Sequence, residues 1–139
     1  KKRNIFFNEV WLLYPCSPLI KHNDFITASK KYNKTKKNYP MMSIREYDTP
    51  IEWAFKEKNN ILKPKDIRSL KLRSQDIKKN YYEAACFVIF KTDQIFKKSS
   101  FKFYGYKLKK NFAVDIDTME DLEIAKVFYK NNLKVKKAK

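Results

Sequence analysis

The chain has 139 residues, with 43% apolar and 16% aromatic residues and a formal net charge of +17. That is enough for one domain with a real core and excludes a disordered chain; no apolar run approaches the roughly 20 residues that span a bilayer. Arginine stands only at positions 3, 45, 68 and 73, so 28 of the 32 basic residues are lysine. The forked donor that reads bases and phosphates is scarce, so a solvated lysine surface is favoured over a dedicated nucleic-acid groove. No secretory signal is evident and the chain does not begin with Met, so a cytoplasmic protein starting upstream of Lys1 is expected. The single glycine, Gly105, leaves no glycine-rich phosphate cradle, and Cys16 and Cys86, far apart, are expected to be buried free thiols.

In chain order, Glu9 to Tyr14 is a nearly continuous apolar run ending at Pro15, as a central parallel strand reads. After the Pro15–Pro18 loop, Asn23 or Asp24 can cap a helix to about Tyr32, with Phe25, Ile26, Ser29 and Tyr32 at helical spacing. A basic loop leads to a second strand over residues 40–47. Ile51, Trp53 and Phe55 alternate with polar or small residues, residues 57–60 read as a turn, and Ile61-Leu62 returns, so residues 48–72 form a projecting hairpin. Tyr81 to Phe90 is a strand, Thr92 or Asp93 starts a short helix, and residues 101–106 lead into a further strand. Phe112 to Asp117 reads as a strand, and Thr118 with Asp121 as a capping box for a final helix. That helix carries Leu122, Ile124, Ala125, Val127, Phe128 and Leu133, before a lysine tail over residues 134–139. Strands alternating with helices define an α/β domain over residues 1–133.

Asp115 and Asp117 are the best lead to chemistry. On an extended run they point to one side, and two carboxylates at a strand end call for a positive partner. Mg²⁺, held by one or two carboxylates and substrate phosphates, fits; so does a solvated strand end with helix capping. Arg73 offers a fork to a carboxylate or phosphate, or a surface ion pair. Gln75 can bond sugar hydroxyls or serve a turn, and Ser74 and Asp76 read as structural. Ser17 sits on a strand-end loop. His22 reads as a capping or surface residue, Trp11 as core and Trp53 as an interface hydrophobe.

Four ordered segments resemble the acylneuraminate cytidylyltransferase family, nearest its pseudaminic acid branch. They are Leu12-Leu13-Tyr14-Pro15-Cys16-Ser17-Pro18-Leu19; Met42 to Tyr47 with Pro50-Ile51-Glu52-Trp53-Ala54; Arg73-Ser74-Gln75-Asp76-Ile77 with Tyr81-Tyr82-Glu83-Ala84; and Asp115-Ile116-Asp117-Thr118 with Glu120-Asp121. The resemblance implies the carboxyl-terminal portion of a Rossmann-like nucleotide-sugar transferase fold, with a mixed, mostly parallel sheet flanked by helices. It implies Mg²⁺-dependent transfer of CMP from CTP to a nine-carbon acidic sugar, with Asp115 and Asp117 as catalytic metal ligands. Arg73, Gln75, Ser17 and Ser74 then bind substrate, and a homodimer forms through residues 50–72. The family's phosphate-binding Arg and Gly-Ser-Lys loop is absent from these residues. Where the family shows His-Asp-Ala-Gly-Gln, this chain has Tyr82-Glu83-Ala84-Ala85-Cys86. Tyr82 and Glu83 are therefore read as aromatic packing and a satisfied carboxylate. A chain that is a poor catalyst alone is expected; a non-catalytic interaction domain and a lysine-rich nucleic-acid module are the alternatives.

Overall fold

The computed structural model describes residues 7–97 and 101–137, with side chains through residue 132. In chain order the elements are β1 (Glu9–Leu13), α1 (His22–Asn33), β2 (Met41–Glu46), β3 (Phe55–Lys58), β4 (Ile61–Pro64), β5 (Tyr81–Lys91), β6 (Tyr104–Lys107) and α2 (Met119–Lys137). They fall into two compact units, Lys1–Arg45 with Glu83–Lys139, and Glu46–Tyr82.

The main sheet runs β1-β5-β2-β6. Strand β1 lies antiparallel to β5, with Glu9 opposite Lys91 and Leu13 opposite Phe87. Ser43 on β2 faces Cys86 and Phe87 on β5, whereas the Tyr47 amide beyond β2 donates to the Asn80 carbonyl before β5. Those two strands therefore run in opposite directions. Among the described residues only β2 and β6 pair in parallel, Met41 against Tyr104. The fold is α/β and consistent with part of a Rossmann-like fold, but the expected mostly parallel sheet is corrected to a mixed one with a single parallel pair. Apolar content reports burial, not direction, which is why β1 read as a central parallel strand although it lies at the end of this order, antiparallel to its neighbour.

One face of the sheet carries the core. Trp11 packs on Phe87 at 5.2 Å and Phe25 at 5.8 Å, and Phe87 meets Tyr106 at 5.6 Å between ring centroids. Helix α1 delivers Phe25, Ala28 and Tyr32 to this cluster at the spacing of one helical face; Ile26, expected there, is exposed. Its start also shifts from the expected cap: Lys21 precedes the first turn, and Asp24 accepts the Lys21 amide from inside the helix at 3.2 Å. Gly105 lets the Ile44 side chain lie close across the ladder, and a Cβ there would require that side chain to move. Helix α2 packs Ala125 and Phe128 on Leu19, Val114 and Ile116. It continues through Lys137, into the residues expected to form the tail; Leu133 lies beyond the described side chains.

Strand β5 is bent within its length. Ala85 holds φ at +46°, a left-handed conformation that costs an L-residue roughly 1–2 kcal/mol. Next to it, the amides of Cys86 and Phe87 both donate to one acceptor, the fully buried Ser43 hydroxyl, at 3.2 and 3.1 Å. A bulge turns successive amides the same way, and here a side chain on β2 collects them. On the other side the Ser17 hydroxyl donates to the Ala85 carbonyl.

The second unit contains the expected hairpin. Strands β3 and β4 pair antiparallel, Lys58 opposite Ile61, around Asn59 and Asn60 at φ of +52° and +62°. Two left-handed residues make the turn whose twist suits a two-residue hairpin, and asparagine tolerates that conformation. The strand begins later than its alternation suggests, because Ile51–Trp53 closes into a 3₁₀ turn after Pro50. The Trp53 indole donates to the Ser69 carbonyl at 2.8 Å, and Asn80 donates to Glu52 at 2.8 Å.

Replacing Ser43 by Ala strands two buried amides and should cost about 2–3 kcal/mol. Ala85→Gly removes the left-handed penalty and should add about 1 kcal/mol. Urea unfolding midpoints of the two variants should move in opposite directions.

Candidate active site

At one end of the main sheet, three chain segments meet through backbone and hydroxyl bonds. Tyr14, just past β1, donates its amide to the Cys86 carbonyl at 3.1 Å, and Ser17 reaches the Ala85 carbonyl. One residue earlier, the Cys16 carbonyl accepts the Ile116 amide at 3.0 Å. The loop of residues 14–17 thus ties the bulged start of β5 to the aspartate run. That run was expected to be a strand. It is irregular from Ala113 to Asp117, held by the bond to Cys16, by the Arg45 guanidinium on the Ala113 carbonyl at 3.2 Å, and by the Asp117 amide donating to the Asp121 carboxylate at 3.3 Å. Without a ladder of backbone partners, an apolar-polar alternation does not become a strand.

Asp115 is half-buried. Burial pushes its carboxyl above the ordinary aspartate range, the charges of Asp117 and Asp121 push it further, and the Ile116 amide pulls weakly the other way. Asp117 is exposed beside it, at the entrance to α2. Asp121 serves the helix. Its carboxylate accepts the Thr118 amide at 2.9 Å and the Thr118 hydroxyl at 2.6 Å, while the Asp121 amide donates to the Thr118 hydroxyl at 3.2 Å. This is the capping box the sequence suggested, and these bonds hold the Asp121 carboxyl below its usual range.

Facing the same loop, the Tyr14 phenol donates to Glu83 at 2.7 Å. That bond, then burial, then the charges of Glu83 and Asp115 raise the Tyr14 phenol above its usual range. Tyr82 stacks on Tyr47 at 4.9 Å. The packing and satisfied-carboxylate readings of Tyr82 and Glu83 agree with this geometry. Cys86 is a buried free thiol, raised chiefly by burial, but Cys16 is exposed, because its short loop leaves it facing outward.

The remaining sequence candidates divide between the units. Ser17 is buried with its hydroxyl given to the backbone of β5. Arg73, Ser74 and Gln75 belong to the second unit, where all three are exposed around a 3₁₀ turn, Ser74–Asp76. Arg73 forks onto Asp76 at 2.9 and 3.3 Å, the ion-pair alternative of the sequence reading. Sequence reasoning missed Ser43 and the Tyr14–Glu83 bond. No local pattern marks Ser43, because the amides it accepts lie more than forty positions along the chain.

Among the described residues, no group of three or more His, Cys, Asp and Glu side chains is placed to hold a metal by itself. Two carboxylates completed by substrate phosphates remain compatible with Mg²⁺. The crowding of Asp115 by two like charges is what a cation would relieve.

An α/β unit with carboxylates and a loop gathered beyond a strand end has the arrangement in which open α/β sheets take their ligands. No protein-family model matches the chain. Among curated proteins, the pseudaminic acid cytidylyltransferase of Campylobacter jejuni subsp. jejuni serotype O:23/36 (strain 81-176) is 34% identical over 139 positions, covering 95% of this chain and 58% of that protein. The pseudaminic acid cytidylyltransferase of the serotype O:2 strain is 32% identical over the same extents. The chain spans 58% of the length of these relatives, and the similarity is consistent with a fragment of the pseudaminic acid cytidylyltransferase family.

Because the folded state raises the Asp115 carboxyl, it binds a proton more readily than the unfolded chain. Stability should fall as pH rises from the unfolded aspartate value, about 3.9, through the folded one, and the penalty is complete above it. Asp115→Asn should therefore raise Tm at pH 7, and the gain should shrink towards pH 4 in thermal melts.

Proposed function

We propose that this chain carries the carboxylate side of a cytidylyltransferase site acting on a pseudaminic-type acid. The observation that carries the reading is Asp115, half-buried and crowded by Asp117 and Asp121 at the end of a sheet where three segments converge. In the reaction, the sugar's anomeric hydroxyl oxygen bonds to the α-phosphorus of CTP. The bond from that phosphorus to the bridging oxygen breaks, pyrophosphate leaves with the bonding electron pair, and the hydroxyl proton passes to solvent.

Such transfers depend on positioning and charge neutralisation more than on covalent help from the protein. Asp115 and Asp117 would hold Mg²⁺, which when bound neutralises phosphate charge and acidifies a coordinated hydroxyl. The capping box fixes the helix entrance beside Asp117. The partial burial of Asp115 strengthens its electrostatic interactions. The Tyr14–Glu83 pair gives the same end of the sheet a donor-acceptor couple suited to a polyhydroxylated sugar.

The only glycine is followed by Tyr106, so these residues contain no Gly-Ser-Lys phosphate loop, and we expect low turnover of CTP by the 139 residues alone. The sugar-carboxylate role of Arg73, with Gln75 and Ser74 beside it, requires Arg73 to exchange Asp76 for substrate. Self-association, which the family resemblance implies, would use the hairpin of β3 and β4, where Phe55, Ile61 and Leu62 are exposed.

Titration with Mg²⁺ in the presence of CTP should raise the Tm of the wild-type chain. Asp115→Asn and Asp117→Asn should each weaken the apparent metal affinity by about 100-fold, the upper end of the loss seen for outer-shell partners. An unchanged Mg²⁺ response in both variants would sink the reading.

A further inference from the structure

Strands β3 and β4 sort their side chains by charge. The register sets Phe55 against Pro64 and Glu57 against Leu62 on one face, and Lys56 against Lys63 and Lys58 against Ile61 on the other. The Lys65 amide donates to the Ala54 carbonyl at 2.7 Å, which carries the pairing one step further and puts Lys65 on the lysine side. Lys56, Lys58, Lys63 and Lys65 thus share one face of a short hairpin. All are exposed, and among the described residues none of them forms an ion pair.

That placement works against the hairpin by itself. Lys56 and Lys63 stand directly opposite each other, with Cβ atoms about 5 Å apart, and like charges so placed destabilise a sheet. The hairpin does have a carboxylate, Glu57, but it lies opposite Leu62 on the other face and neutralises no cross-strand lysine. Together with Asn59 and Ile61, the lysines line a cavity of about 560 Å³.

We infer that the lysine face of this hairpin is a binding site for an oligophosphate anion, a run of two or three phosphates as in pyrophosphate, free polyphosphate or a nucleoside triphosphate. Ammonium groups on flexible stems suit charge that is dense and spread over several oxygens. Each strand is four residues long, about 13 Å, the span of a few phosphates and not of a duplex. The lysine face presents no aromatic ring on which a base could stack and no arginine to read a base edge, so phosphate is the group it can recognise. A bound oligophosphate neutralises the repulsion between Lys56 and Lys63, so ligand and hairpin stabilise each other. Self-association through Phe55 and Leu62 would use the opposite face and leave the lysines open. The inference involves neither Asp115 nor Asp117 and needs no metal, so failure of the carboxylate reading would leave it standing.

The test is calorimetric titration of the whole chain with tripolyphosphate, without Mg²⁺ and at about 0.15 M salt. One saturable site per chain is expected. Lys56→Ser and Lys63→Ser should each weaken it about tenfold, whereas Lys30→Ser and Lys36→Ser, which remove exposed lysines of the other unit, should not. Asp115→Asn should leave the titration unchanged. Lys63→Glu should abolish binding and yet raise the ligand-free Tm, because it sets an opposite charge against Lys56. A second titration with CTP separates the sources. Binding no tighter than that of tripolyphosphate identifies the phosphates alone, tighter binding identifies a nucleotide, and both support the inference. Three outcomes overturn it. One is no saturable binding of tripolyphosphate in the millimolar range. Another is an equal loss in the Lys30 and Lys36 variants, which would leave only general lysine charge. The third is binding of a single-stranded RNA without binding of tripolyphosphate, which would assign the face to nucleic acid.

Discussion

The hydroxyl of Ser43 accepts two consecutive amides of β5, and the geometry of the sheet end follows from that one acceptor. Without it, the left-handed turn at Ala85 would leave two buried donors with no partner, and the strand would straighten or exchange register. A straightened β5 would carry Glu83 to the other face, since each residue of slip reverses every side chain. The Tyr14–Glu83 bond, the Ser17 anchor and the tether from Cys16 to Ile116 all lie downstream of this bend. The serine is small enough to be fully enclosed and polar enough to replace a missing ladder partner.

This arrangement makes the aspartate run dependent on distant parts of the chain. Residues 113–117 have no ladder of their own. Their position is borrowed from the loop after β1 through Cys16, from β2 through Arg45, and from α2 through the box between Thr118 and Asp121. Division of labour among the three acidic residues follows. Asp121 is committed to the helix start, which leaves Asp115 and Asp117 outside the capping bonds.

What could be read in the sequence is what local physics dictates. The apolar run at β1, the α1 face through Phe25 and Tyr32, the Asn59-Asn60 turn and the Thr118–Asp121 box are each decided within a few residues. The direction of β1, its place at the end of the sheet order and the failure of the aspartate run to pair are decided by partners remote in the chain. Alternation identifies a face but does not name a neighbour. The bulge belongs with the second group: Ala85 carries no local sign of its positive φ, and its support by Ser43 comes from more than forty positions away.

An alanine held at positive φ has a further consequence for how this chain can change over generations. Where glycine stands, the left-handed backbone costs less, which leaves more margin for the loss of a neighbouring hydroxyl. With alanine, Ser17, Ser43 and position 85 form an epistatic unit, in which the effect of any one substitution depends on the other two. Exchange of either serine is tolerated most readily in a chain that carries glycine at position 85, so the order of substitutions is constrained even where each seems conservative alone.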